Sequence, residues 1–236
     1  MENRPMSTNL KDLEPTFKDI NAKAINGFLG LTLHLALAFT NLVLMILVAP
    51  TGGLTALILI FTIPLFLVMF NSYVIINPNE SVVVQFFGKY AATLKEEGFQ
   101  FFLNPLYTKT RISLRINNFE SNKLKVNDVN ANPIDIAAVV VWRVFDSAEA
   151  LFEVENYDHY VQIQSEAALR EMATKYPYDA IEEKDIGGIT LSSHQDAVAE
   201  ELQTSVEARL ARAGIEVLEA RISLSLIHIS EPTRLV

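Results

Sequence analysis

The stretch Asn77-Pro78-Asn79-Glu80 passes from turn residues directly into Ser81-Val82-Val83-Val84-Gln85-Phe86-Phe87, and Gly88 closes it before Lys89-Tyr90. Valine and phenylalanine crowded over Ser81–Phe87 predict a strand. A glycine, free to take positive φ, suits the hairpin turn that follows. Downstream, Gly98-Phe99-Gln100-Phe101-Phe102 is a second short run ended by Asn104-Pro105. Lys109–Asn118 alternates, with Lys109, Arg111, Ser113, Arg115 and Asn117 on one side and Thr110, Ile112, Leu114 and Ile116 on the other, which predicts a half-buried strand. Lys123 and Lys125 alternate with Leu124 and Val126 in the next run. Pro133–Phe145 is apolar on both faces through Ala137–Trp142 and is expected to be a central strand covered on both sides. Between these last two, Asn127-Asp128-Val129-Asn130-Ala131-Asn132 has the chemistry of a turn.

Helical signals follow. Asn156 is placed to cap a helix reaching about Lys175, with Tyr157, Val161, Ala168 and Met172 along one side and Glu166 four residues before Arg170. Pro177 forbids its continuation. Ser192 or Ser193 can cap a second helix with the stripe Val198, Leu202, Val206 and Leu210, stopped by Gly214. Ile215–Ile222 returns to a strand pattern. Strands, then helices, then a returning strand predict an α+β domain.

Upstream lie two apolar stretches without a charged residue, Phe28–Ala49 and Leu54–Phe70, separated by Pro50-Thr51-Gly52-Gly53. At about 1.5 Å per residue the first rises roughly 33 Å, enough for a bilayer core of about 30 Å. The second is shorter, and Tyr73-Val74-Ile75-Ile76 is expected to extend it into the interface. The pattern predicts a transmembrane helical hairpin over residues 28–70. A re-entrant loop is the alternative, given Pro64 and the shorter second stretch, and a buried core hairpin is the bland one. Two crossings return the chain to its starting side. Arg4, Lys11, Lys18 and Lys23 lie in the leading tail and the connecting turn has no charge, so the tail (1–27) and the domain are expected to be cytoplasmic. No small-x-small cleavage site supports a signal peptide. His34 and Asn41 share a helix face within the first stretch. We read them as packing residues, His34 snorkelling towards the helix end and Asn41 bonding a neighbour such as Thr55 or Thr62, rather than as a proton or transport path.

From Tyr73 to Ser223 the chain carries 14 Lys and Arg against 23 Asp and Glu, the whole formal charge of −9. That balance opposes a nucleic-acid surface, which needs clustered cations. With no cysteine, disulfides, thiolate catalysis and cysteine-based zinc sites are excluded. His159 and His194 each fall in the first turn of an expected helix without a spaced partner, so no metal or cofactor site is expected, and neither is a catalytic one. Gly187-Gly188 reads as a loop pair. Glu153, Glu155 and Asp158 form one acidic group and Glu182, Glu183 and Asp185 another, and both read as solvated or assembly surface rather than as acid–base machinery.

The succession Asn77–Val84, Phe87-Gly88-Lys89-Tyr90, Glu97-Gly98-Phe99, Asn104-Pro105, Ile134–Phe145, Asn156-Tyr157 with Ala167-Ala168-Leu169-Arg170, and Gly214-Ile215-Glu216-Val217 resembles the SPFH (band 7) domain of stomatins, prohibitins and flotillins. The resemblance covers residues 73–223 and departs in the turn at Asp128, where relatives often place Asp-Gly. It implies antiparallel strands packed with helices, no enzymatic activity, and a scaffold in the lipid bilayer. That scaffold would form large homo-oligomers enclosing a membrane patch and sequester or regulate membrane proteins, often proteases. The rival expectation is a regulatory subunit of a membrane complex with no ring of its own; a small transporter using His34 and Asn41 is a weaker third. Lateral contacts are sought along Ser193–Ala213, where Glu200, Glu201 and Glu207 oppose Arg209 and Arg212, unless those charges only support their own helix. The aromatics of Tyr73–Phe87 and Phe99–Phe102 read as core rather than membrane contacts. Leu224–Arg234 resembles the translation of a sequencing-library adapter, so 224–236 is expected to lie outside the domain, and His228 supports no ligand argument.

Overall fold

The computed structural model describes residues 18–22, 24–48, 62–64, 66, 69–102, 106–179 and 190–226. The chain divides into two compact units, Asp19–Leu114 and a second containing Arg115–Val236.

In the first unit, β1 (Ile25–Asn26) leads into α1 (Gly27–Val48), followed by β2 (Tyr73–Ile76), β3 (Glu80–Phe86), β4 (Lys89–Leu94), β5 (Gly98–Phe101) and β6 (Tyr107–Ser113). These strands form two antiparallel sheets, β1-β5-β2 and β4-β3-β6. The expected hairpin is present: Phe87 and Gly88, at φ 47° and 79°, turn β3 into β4. Val82, Val84 and Leu94 bury together with Val74 and Ile76 as one apolar cluster. Val74 and Ile76 come from a segment expected to extend the second apolar stretch. That expectation is corrected, since Tyr73–Ile76 pairs residue by residue with Phe101–Gly98. Its β-branched residues alternate between core and solvent, the period of a strand. The residues before α1, expected to be tail, also dock. Thr93 donates its N–H to Ile20 O at 2.9 Å and its hydroxyl to Asp19 Oδ1 at 2.7 Å, and Lys95 pairs with Asp19 at 2.7 Å. Of the expected hairpin, α1 is described, whereas Leu54–Phe70 lies outside the described residues except at 62–64, 66, 69 and 70.

The second unit contains β7 (Asn117–Glu120), β8 (Leu124–Asn127), β9 (Pro133–Val144), α2 (Ser147–Phe152), α3 (Tyr157–Lys175), α4 (Gln195–Leu210) and β10 (Ile215–Leu226). One antiparallel sheet runs β10-β9-β7, and β8 also pairs with β9. The central place of β9 is as expected, its coverage is not. Ile134, Ile136, Ala138, Val140, Trp142 and Val144 are buried, while Val139 on the other face is 38% exposed. The run Ala137–Trp142 is apolar because small and β-branched side chains suit a pleated surface even where water reaches it. The helices occupy the covered face, α3 on β8 and β9 and α4 on β10.

The alternating run Lys109–Asn118 is two strands of different sheets, not one. Leu114 gives its N–H to Asn79 O at 2.9 Å, which ends the β6 ladder and leaves Ile116 exposed. A short helix went unread: Asp146 Oδ1 accepts the N–H of Ala148 and Glu149, both at 3.0 Å, and caps α2. Asn156 caps α3 as expected, through His159 N–H at 3.0 Å. By contrast α4 starts behind His194, because Ser192 and Ser193 are used in a turn that ties Ser193 N–H to Thr190 Oγ1 at 3.3 Å. Gly214, at φ 63°, ends the 3-10 turn Ala211–Ala213 that follows α4. A Cβ there would lie 2.4 Å from Asp146 O, so only glycine lets β10 begin against the end of β9.

The Asn127–Asn132 turn lacks the glycine often found there, and Ala131 supplies the positive φ, 63°. Asp128 organises it. Oδ1 accepts the N–H of Asn130 at 2.9 Å and of Asn132 at 2.7 Å, while Oδ2 accepts Asn132 Nδ2 and Tyr178 N–H, both at 3.0 Å.

Candidate membrane-facing site

Helix α1 carries no charge, has a mean hydropathy of 2.0 over its most apolar window, and buries only 11% of that window. A core helix of a soluble protein would hide such a surface. Here Phe28, Leu33, Leu35, Phe39 and Leu47 all project outward. By length and composition the helix is long enough to cross a membrane.

Its root is tightly built. At Gly27 and Gly30 a Cβ would lie 2.3 Å from Phe99 and 2.6 Å from Phe101, so the absence of side chains lets the first turns lie against β5. Tyr73 stacks on Phe99 at 5.4 Å, and Phe101 is buried beside it at 4.9 Å. His34 is not snorkelling: it is 3% exposed, its ring 4.1 Å from Phe66 and 4.9 Å from Phe70, with Nδ1 3.3 Å from the Tyr73 hydroxyl. The Nε2 atom has no partner among the described residues. Asn41 bonds its own helix, Nδ2 donating to Leu37 O at 3.0 Å. Thr62 does line one cleft with Asn41, but Thr55 lies outside the described residues. Where the chain rejoins the sheet, Lys109 Nζ donates to Asn71 O, and to Tyr73 O at 3.1 Å. Burial lowers its ammonium pKa below that of a free lysine.

The charged stripe of α4 resolves differently from its sequence reading. Glu201 pairs with Lys175 and accepts from the Tyr176 hydroxyl, and Arg209 pairs with Glu171. These contacts hold α4 to the end of α3. Hydrogen bonds from Lys175, then from Tyr176, hold the Glu201 carboxyl below its ordinary range. Glu200, Glu207 and Arg212 remain exposed. Glu207 lines a hollow of about 350 Å³ with Phe145, Glu149 and Glu216, and Glu216 meets Arg143 at 2.7 Å across the sheet. Glu153, Glu155, Asp158 and His159 are exposed at the start of α3, His194 is exposed ahead of α4, and Glu182, Glu183, Asp185 and Gly187-Gly188 lie outside the described residues. No group of three potential metal ligands occurs among the described residues. What sequence reasoning missed was the aromatic root of α1. The signal was the spacing of Gly27 and Gly30 against the alternating aromatics of β5.

No curated protein sequence matches the chain. The family model of the SPFH domain / Band 7 family matches residues 74–231, from β2 past the end of β10. With antiparallel sheets, packed helices and one exposed apolar helix at its N-terminal side, the chain belongs to the SPFH domain / Band 7 family, whose members are generally non-enzymatic, membrane-associated scaffolds.

Proposed function

We propose that this protein is a membrane-anchored scaffold that assembles into large homo-oligomers, organises a patch of bilayer and sequesters or regulates membrane proteins such as proteases. The observation that carries the reading is the sheet β1-β5-β2. Ile25 and Tyr73 both pair with Phe101, so the chain leaves for the apolar segment and returns beside the same strand. An α1 that crosses the bilayer must therefore be followed by a return crossing. This supports a hairpin anchor with the residues before α1 and the domain on one side of the membrane. Arg4, Lys11, Lys18 and Lys23 in the leading tail, against an uncharged turn, support a cytoplasmic side.

Assembly is supported by charge left unpaired among the described residues. Glu200, Glu207 and Arg212 stand exposed around α4, where a neighbouring copy can complement them. The test is the particle mass of the purified protein in mild detergent. A uniform assembly of many subunits is the expected result. A monomer or dimer at every concentration overturns the ring and leaves a regulatory subunit of another complex.

A further inference from the structure

The turn joining β3 to β4 is both strained and bare. Phe87 and Gly88 take positive φ in succession, a pattern suited to Asn, Asp or Gly at the first position. Phenylalanine there carries a steric cost that those residues avoid. Its ring gains no core in return, being 79% exposed. Phe86, 4.7 Å from Phe87 and 5.3 Å from Tyr107 between ring centres, is exposed as well, and so is Leu106 just ahead of β6. Backbone strain spent on an exposed aromatic points to function.

The place of this tip within its unit names the partner. Phe86 is in register with Tyr107, and two residues further along β6 Lys109 holds the carbonyls of Asn71 and Tyr73. Phe102 gives its N–H to Ser72 O at 2.9 Å and packs its ring 5.1 Å from Tyr107. Residues 71–73 are where the chain comes back from the apolar segment. At about 3.4 Å per strand residue the tip lies roughly 10 Å beyond Lys109 along the strand, beside that return point. Lys89 stands exposed next to it. Exposed aromatics flanked by a lysine at this level have the composition of an interfacial anchor.

The geometry points to a second membrane contact: Phe86, Phe87 and Leu106 insert into the headgroup–acyl boundary of the leaflet in which α1 is rooted, with Lys89 at the lipid phosphates. This rests on the reading of α1 as a membrane helix. The tip then fixes the tilt of the domain on the bilayer, because a unit held at α1 and at the β3–β4 turn cannot rock about a single stem.

The chain contains no cysteine, so single substitutions report without background. Nitroxide labels at Phe87→Cys, Leu106→Cys, Leu37→Cys within α1 and Val129→Cys in the other unit would be compared in the full chain. The host is vesicles of phosphatidylcholine and phosphatidylglycerol, and the readout is the ratio of collisions with oxygen to collisions with a water-soluble nickel chelate. Ratios at 87 and 106 several-fold above that at 129, approaching that at 37, are expected. Leu106 has no positive φ, so its label reports even if the strained turn rearranges in the Phe87 variant. A high ratio at 37 with ratios at 87 and 106 equal to that at 129 overturns the tip contact and leaves the anchor standing. Low collision with both reagents at 87 and 106 overturns it in favour of a protein partner. If 37 itself matches 129, the anchor and the tip contact fall together.

Discussion

At Ala131 a non-glycine residue is held at φ 63°, which costs about 1–2 kcal/mol relative to glycine. The Asp128 carboxylate offsets this with its four accepted hydrogen bonds across the turn and to Tyr178. Ala131→Gly is expected to stabilise the protein by about 1 kcal/mol, read as a higher urea midpoint at unchanged slope. Asp128→Asn turns an amide N–H₂ towards donors and is expected to cost about 2 kcal/mol. The pH dependence follows from the same contacts. Burial pushes the Asp128 carboxyl up, but the bonds from Tyr178, Asn132 and Asn130 outweigh it and hold the pKa below its ordinary value. A depressed folded pKa means that the contribution is complete above the unfolded value of about 3.9 and drains away as pH falls through the folded one. Stability measured from neutral pH downward should therefore fall less steeply in the Asn variant. An acid limb parallel to the parent's would show that the carboxylate contributes no charge-dependent stability. That a turn lay here was legible from its Asn and Asp content. That alanine would occupy the left-handed position was not, because nothing local marks it.

Among elements, those with side-chain punctuation were the most readable. The bounds of α3 follow from Asn156 and Pro177, and Gly214 marks the end of the 3-10 turn that follows α4. Asp146 with Glu149 three residues on was an equally plain start for α2, overlooked because the helix is so short. Strand assignment failed where pattern outran pairing. Lys109–Asn118 alternates without a break, but the bond from Leu114 to Asn79 ends the ladder. Tyr73–Ile76 is as apolar as the stretch before it, and only its partner β5 distinguishes strand from span. The opposed charges of α4 were visible in sequence, whereas their partners on α3, Lys175 and Glu171, are a matter of packing. The root of α1 provides a test at this scale. Gly30→Leu drives a side chain into the Phe101 ring and is expected to cost about 1–3 kcal/mol, seen as a lower thermal midpoint in detergent. Ala36→Leu, on the outward face of the same helix, should leave that midpoint unchanged.

For the whole molecule, family and fold class were legible because many weak motifs recur in one order over residues 73–223, and the family model matches residues 74–231. The sequence pattern predicts a return to the starting side, and the pairing of β1 and β2 with one strand supports it. With β1 and β2 both on β5, single cysteines at Lys18 and Glu97 should react with a membrane-impermeant maleimide to the same extent in sealed vesicles, whichever way the protein inserts. Protection of one and modification of the other would exclude a returning segment.

That same strand arrangement also sets a schedule for biogenesis. Ile25 waits for Phe101, roughly 75 residues later in the chain and about 4–15 s later in synthesis at 5–20 residues per second. Until then β1 has no strand to pair with, and in the proposed hairpin anchor the apolar segment settles in lipid without help from the domain. Once β5 emerges, it can take up β1 and β2 together only if the segment has already doubled back. With the proposed anchor, the sheet would act as a latch that closes behind correct insertion, and a chain threaded straight through would present an open β5 edge to quality control.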